Sequence, residues 1–295
     1  MTTDAAVRLR AFHRTVTERV GALESEYLGR NRPLGESRVL WEIGPRGVDV
    51  RDLRRRLGLD SGYASRMLRS LEAQGLVTVK ASAADGRVRT ARLTARGKRE
   101  VAELDRLSDE LASSILEPLD DRQRAKLADA AETVRRLLEA SLITVAPEPA
   151  DSADARWCIA QYFSELGRRF DQGFDPALSI PAAEADMTPP RGVLLVARMR
   201  GRPVGCGALK LHPGEPTELK RMWVDPSARG LGLGRRLLRE LEQCAASAGA
   251  TTIRLETNGS LTEAIALYRS AGYTEVPAFN EMLRGKKLEN IIAVR

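Results

Sequence analysis

Residues 229–238 read RGLGLGRRLL, three alternate glycines directly before an amphipathic, arginine-rich helical pattern. Glycine lacks a Cβ and tolerates positive φ, so such a loop can bring backbone N–H groups close to an anion. A helix starting there adds the positive end of its dipole. Gly230, Leu231, Gly232, Leu233 and Gly234 are therefore candidates for a phosphate cradle, with Arg229 and Arg235 as charge partners. Two ligand groups suit this kind of turn, a dinucleotide and the pyrophosphate of coenzyme A. A preceding strand, a following helix and Glu256 at the end of the next strand nominally match the dinucleotide fingerprint. Its third glycine would fall at 235, which is Arg, and Asp225 to Arg229 separate the strand from Gly230. Only 61 residues follow Gly234, too few for a doubly wound domain.

The second ligand fits residue by residue. Arg229-Gly230-Leu231-Gly232-Leu233-Gly234 follows a Val224-Asp225-Pro226 turn and precedes Asn258, Ala266-Leu267-Tyr268 and Gly272-Tyr273. This combination resembles the GNAT acetyltransferases, with their R-x-x-G-x-G signature, over about residues 153–284. The resemblance implies acetyl-CoA as cosubstrate, its pyrophosphate on the N–H groups from Arg229 to Arg235. It also implies that the backbone at Trp223 and Val224 pairs with the pantetheine arm and polarises the thioester carbonyl. Asn258 and Tyr268 would flank that arm.

Acyl transfer needs an unprotonated amine and a proton for the departing thiolate. Tyr268 matches the family's general acid; Glu218, early on the strand feeding the loop, is the expected base, with Glu256 as the alternate. Direct attack in a ternary complex needs no cysteine nucleophile, so Cys206 and Cys244 are expected in the core. Residues 161–191 correspond to the variable acceptor side and mix Phe163, Phe170 and Phe174 with Asp171 and Asp175. Such a mixture suits an amine carrying a hydrophobic group. Small amine, amino acid derivative and protein lysine all stay open.

The elements that must position these groups alternate. WCIAQYFSELGRRF (157–170) has helical spacing, GVLLVARMRGRPVGCGALKLH (192–212) is a strand pair around Gly201-Arg202, and PTELKRMWV ends a strand at Val224. After the glycine loop come a helix to about Ala248, the strand TTIRLETN, the helix LTEAIALYRSAGY and a last strand. The order predicts an α/β fold with a central mixed sheet.

The first half is different. Residues 4–23, 36–44 and 49–57 have helical spacing, and GLDSGYASRMLRSLEAQGLV (58–77) places Ala64, Met67, Leu68 and Leu71 on one face of a helix that Asp60 or Ser61 can cap and Gly75 ends. VTVKASAADGRVRTARLT then alternates as two strands around an Asp85-Gly86 turn, with Arg87 and Arg89 near the tip. Helix, turn, helix and basic hairpin suit DNA: the second helix enters the major groove while the hairpin arginines reach phosphates or the minor groove. Ser61, Tyr63, Ser65, Arg66 and Arg69 are the groove-facing candidates. Leu71-Glu72-Ala73-Gln74-Gly75-Leu76-Val77 and Asp85-Gly86-Arg87 make the segment resemble the MarR family over about residues 4–143. Helical patterns at 94–116 and 120–143 follow, and in that family such helices form a homodimer that sets two recognition helices on a two-fold double-stranded DNA site.

The charge agrees with this division. The net charge is +7, yet residues 46–99 carry fourteen Lys/Arg against five Asp/Glu, and residues 100–145 six against eleven. Three cysteines without CxxC spacing and two histidines give no zinc or disulfide framework, so no metal is expected. No leader or long apolar run appears, which predicts a cytoplasmic protein without a membrane partner. The expected organisation is two domains: a mainly α winged helix-turn-helix DNA-binding and dimerisation domain over 1–145, a linker over 146–152 and an α/β GNAT-like domain over 153–295. The expected function is a bifunctional transcription regulator and N-acetyltransferase. The alternatives are a regulator whose second domain senses acetyl-CoA or a metabolite without turnover, and an acetyltransferase whose winged helix only dimerises.

Overall fold

The structure, a computed structural model, describes residues 3–81, 88–170, 183–212, 214–276 and 290–294. The chain forms two compact units, residues 1–131 and 132–295.

The first unit is mainly helical. Helix α1 (Asp4–Arg19) is shorter than the 4–23 pattern because Gly21 takes a left-handed φ of 64° just beyond it. It contributes no buried residue, and Val7, Leu9, Phe12 and Val16 are exposed. Helices α2 (Leu34–Ile43), α3 (Val50–Leu57) and α4 (Ser61–Ala73) follow, with Asp49 and Asp60 as N-caps of α3 and α4. The four apolar positions expected on one face of α4, Ala64, Met67, Leu68 and Leu71, are all buried. They join Val39, Leu40, Ile43 and Leu53 in one core. Strands β2 (Val77–Ala81) and β3 (Arg89–Leu93) form the hairpin, and a short strand β1 (Val48–Asp49) pairs with β3 on its other side. The sequence pattern missed β1 because two residues carry no alternation. Helix α5 (Ala95–Leu116) closes the core with Leu104, and its buried Glu100 binds Arg30 and Arg32. Helix α6 (Asp121–Ser141) runs through the division between the units.

The second unit is a seven-stranded mixed sheet with helices on both faces. Its strands are β4 (Ile143–Pro147), β5 (Gly192–Met199), β6 (Arg202–Lys210), β7 (Thr217–Val224), β8 (Ile253–Asn258), β9 (Thr274–Glu275) and β10 (Asn290–Val294), in the order β4-β5-β6-β7-β8-β10-β9. Among the described residues only β7 and β8 pair in parallel. Helix α7 (Ala153–Arg169) packs on one face, where Ala155 and Cys158 meet Leu194, Val196, Cys206, Ala208 and Trp223. Helices α8 (Leu233–Ser247) and α9 (Thr262–Ser270) pack on the other, where Leu237, Leu238 and Leu241 meet Leu195, Ala197, Leu219 and Leu255. The period-two switch between Leu194 and Leu195 is what a sheet buried on both faces requires.

The expected linker begins too early. Residues 144–157 show little periodicity, yet Ile143–Pro147 pair antiparallel with β5 as an edge strand, and Ser152 caps α7 at Ala153. A proline is tolerated there because an edge strand leaves one row of N–H positions unpaired. The division between compact units likewise falls at 131/132 and not at 145.

Candidate functional site

The glycine loop lies at the C-terminal end of β7. Gly230 and Gly232 have φ of 73° and 77°, values that disfavour any side chain. Gly234 serves packing: a Cβ there would lie 3.3 Å from Leu267 of α9. Gly232 is the N-cap of α8 and no side chain caps that end. The N–H groups of the first helical turn, which have no intrahelical acceptor, are thus left available to an anion. These features fit a pyrophosphate.

The two arginines expected as charge partners are engaged by the protein. Arg229 donates from Nε to the Val224 carbonyl (3.0 Å) and from Nη2 to Glu165 of α7 (2.5 Å). The same Glu165 oxygen accepts from Trp223 Nε1 at 2.9 Å. Arg235 donates to Ser270 Oγ at 3.0 Å. On the outer side, Arg136 of α6 donates to the Gly230 carbonyl. Glu165 and Arg136 carry no motif, and nothing in the sequence singled them out.

Strands β7 and β8 pair only through Thr217–Leu219 and Ile253–Leu255 and separate beyond these residues. Asp225 N–H bonds the Val204 carbonyl on β6. Antiparallel alternation then turns the N–H and C=O of Val224 away from β6, toward the opening. The Val224 N–H is consequently placed to polarise a carbonyl lying between the strands.

A β-bulge shapes the same stretch. Cys206 is opposite Trp223 and Ala208 opposite Lys220, so Gly207 faces both Arg221 and Met222. Arg221 takes the extra position with φ 56°, in the left-handed region. Its carbonyl accepts from Cys206 Sγ at 3.2 Å, and the contact with Cys158 together with burial holds the Cys206 thiol well above its usual range, so it remains a donor. The Arg221 guanidinium lies 4.5 Å from the Phe163 ring centroid and 5.7 Å from that of Tyr162. Its Nε is buried with no hydrogen-bond partner among the described residues.

The expected catalytic pair is not held in equivalent ways. Tyr268 is buried against Tyr273 (ring centroids 5.7 Å apart), and burial, with Tyr162 and Tyr273 nearby, raises its pKa well above the usual phenol value. It is a protonated hydroxyl at neutral pH. Glu218 sits in the paired part of β7, bonded to Arg254 (2.8 Å) and Lys220 (3.0 Å), with His212 at 3.8 Å. Burial opposes its ionisation, but these cations outweigh burial and hold it below the ordinary carboxylate range. Glu256 follows the last paired residue, Leu255. Asn258 accepts at Oδ1 from Ser260 N–H (2.9 Å), shaping the turn into α9.

In the first unit, Ser61, Tyr63, Arg66 and Arg69 are exposed on α4, Ser65 is half-buried, and Arg89 is exposed on β3. Asp60, not Ser61, caps α4 by accepting from Tyr63 N–H at 2.8 Å, a bond that lowers its pKa. Arg66 stands 5.8 Å over the Tyr63 ring, and Arg69 folds back to the Ser65 carbonyl. Arg87, the Asp85-Gly86 turn, Asp171, Phe174 and Asp175 lie outside the described residues. Among those described, no helix is long and apolar enough to cross a membrane and no cluster of metal-binding side chains occurs.

Comparison with known proteins follows the same division. The model of the acetyltransferase (GNAT) domain matches residues 190–275, and that of the MarR family matches residues 28–88. An IAA acetyltransferase of Azospirillum brasilense is 46% identical over 82 residues, covering 28% of this chain and 54% of that protein. An uncharacterised N-acetyltransferase of Schizosaccharomyces pombe is 36% identical over 130 residues, covering 42% and 77%. The N-alpha-acetyltransferase RimI of Mycobacterium tuberculosis is 34% identical over 138 residues, covering 45% and 84%. The chain thus spans about half the length of the first relative and over three quarters of the other two. Strands β5 to β9 and the glycine loop lie within one match, and helix α4 and strand β2 lie within the other, which ends before Arg89. The chain belongs to the GNAT acetyltransferases through its second unit, and its first unit matches the MarR family model over residues 28–88.

Proposed function

We propose that this chain is a DNA-binding regulator that also transfers acetyl from acetyl-CoA to an amine. The observation that carries the transferase reading is the opening between β7 and β8, bordered by the Val224 N–H and ending at the uncapped start of α8. Residues 229–235 would hold the pyrophosphate through backbone N–H groups. Arg229 serves here as a brace for the loop. Acetyl-CoA supplies an activated thioester. The Val224 N–H would stabilise negative charge on its carbonyl oxygen, Tyr268 holds the proton that the departing sulfur needs, and the acceptor amine attacks directly in a ternary complex. Glu256, beside the opening, is better placed than Glu218 to take the amine proton, because the cations around Glu218 weaken it as a base. No metal enters this scheme.

The DNA reading rests on exposed Ser61, Tyr63, Arg66 and Arg69 on one helix with Arg89 on the adjoining hairpin. The exposed apolar side chains of α1 support a homodimer through the N-terminal domain. A second reading, a sensor without turnover, is favoured by Arg136, which brings α6 onto the carbonyl of Gly230.

The test is CoA release across an amine panel for wild type and Tyr268→Phe, with DNA affinity measured with and without acetyl-CoA. Turnover that falls by about a hundredfold or more in the variant, with unchanged acetyl-CoA affinity, supports the enzyme. No turnover on any amine, combined with acetyl-CoA-dependent DNA affinity, selects the sensor. Absence of any preferred DNA fragment at physiological salt removes the regulator.

A further inference from the structure

Cations are frequent on the α7 face of the sheet, and most are neutralised. Lys220 and Arg254 bind Glu218, Lys210 binds Asp186, Arg198 binds Glu148 and Asp154, and Arg169 binds Glu263. Arg221 is the exception: among the described residues no carboxylate lies in ion-pairing range, and its buried Nε has no acceptor. An N–H taken out of water without an acceptor is costly, and a left-handed φ on an arginine adds to that cost. Both costs are borne at the stretch where β7 leaves β8. The bulge, bonded through Cys206, swings the guanidinium to the α7 face, and the rings of Phe163 and Tyr162 fix its plane. A planar guanidinium held by aromatic rings is suited to a carboxylate, which it can bind through two parallel N–H donors.

We propose that Arg221 binds a carboxylate of the acetyl acceptor, so that the acceptor is an amine that also carries a carboxylate. This assignment rests on the acetyltransferase reading above and narrows it. Charge on the acceptor, and not apolar bulk alone, then sets specificity. Phe163 acts with Arg221 as the surface on which the guanidinium lies.

The experiment pairs amino acids with their carboxamides at saturating acetyl-CoA, for wild type, Arg221→Gln and Arg221→Gly. Comparing each variant with wild type on the same acceptor cancels the different basicities of the two amines. The expected result is a loss of about tenfold or more in kcat/KM for carboxylate acceptors, a small change for carboxamides, and an unchanged KM for acetyl-CoA. Arg221→Gly, which relieves the left-handed φ, should lose the same discrimination without a lower melting temperature. Equal losses on both acceptor classes, or a raised KM for acetyl-CoA, overturn the assignment. Calorimetric binding of the same pairs to CoA-saturated protein separates it from the enzyme reading. Carboxylate-selective binding that Arg221→Gln abolishes, without turnover, upholds the site and removes the enzyme. Turnover without selectivity does the reverse. Absence of both carboxylate binding and carboxylate turnover refutes the site.

Discussion

Glu165→Ala tests whether Arg229 braces the glycine loop or binds phosphate directly. Glu165 accepts from both Arg229 Nη2 and Trp223 Nε1, and its side chain is 13% exposed. The Arg229 side chain is 43% exposed, so its ion pair is discounted by solvent screening to about 1 kcal/mol. Leaving the buried Trp223 indole N–H without an acceptor costs about 1–2 kcal/mol more. The variant should lose about 2–3 kcal/mol, on the order of 4–12 °C in melting temperature for a domain of this size. Arg229→Ala removes the same ion pair, so the double variant should fall short of the summed losses by about 1 kcal/mol. Urea titration followed by tryptophan fluorescence measures this coupling, and calorimetry gives the acetyl-CoA affinity of each variant. If Arg229 is a brace, both single variants weaken acetyl-CoA binding, because each releases the start of the loop. If Arg229 is a direct phosphate partner, Glu165→Ala frees its charge and leaves binding unchanged or tighter, while Arg229→Ala weakens it. Opposite signs, or additive stabilities, would refute the brace.

Two further outcomes follow from the charge arrangement. Glu218 has a lowered folded pKa, so its stabilising contribution is complete above the ordinary glutamate value of about 4.3 and is lost as pH falls through its folded value. Glu218→Gln should therefore lower the melting temperature at neutral pH, the deficit should shrink in acid, and the acid limb of kcat/KM should stay where wild type has it; a displaced limb would restore Glu218 as the base. Arg89→Ala should lower the slope of log affinity for DNA against log salt by about 0.9 if the side chain neutralises one phosphate, and an unchanged slope in filter binding excludes that contact; Arg87→Ala is judged on the same scale.

Legibility in the sequence followed the range of the interactions. The α4 face of Ala64, Met67, Leu68 and Leu71 and the glycine loop are set by neighbours within a few residues and were readable from spacing alone, and the α4 cap was readable as Asp60 or Ser61, between which the structure selects Asp60. The edge strand β4 was not, because Pro147 and a short alternation are tolerated only where β5 offers one open edge. Glu165 was invisible for a stricter reason. It lies 64 residues from Arg229 and belongs to the site only because α7 crosses the face that Trp223 covers.

The bulge shows the same limit within a single strand. Strict alternation along TELKRMWV would set Arg221 on one face with Leu219 and Trp223. The structure instead gives Leu219 to the α8 side, Trp223 to the α7 side, and both Lys220 and Arg221 to the face opposite Leu219. What shifts the phase is a count taken between strands, two residues of β7 against Gly207 of β6. Gly207 admits the shift because a Cβ there would lie 2.6 Å from Met222 Sδ and 2.7 Å from Leu241. A left-handed arginine costs about 1–2 kcal/mol relative to glycine in the same conformation. A bulge that only had to turn the chain would be served better by glycine, so the arginine at 221 is accounted for by what its guanidinium binds.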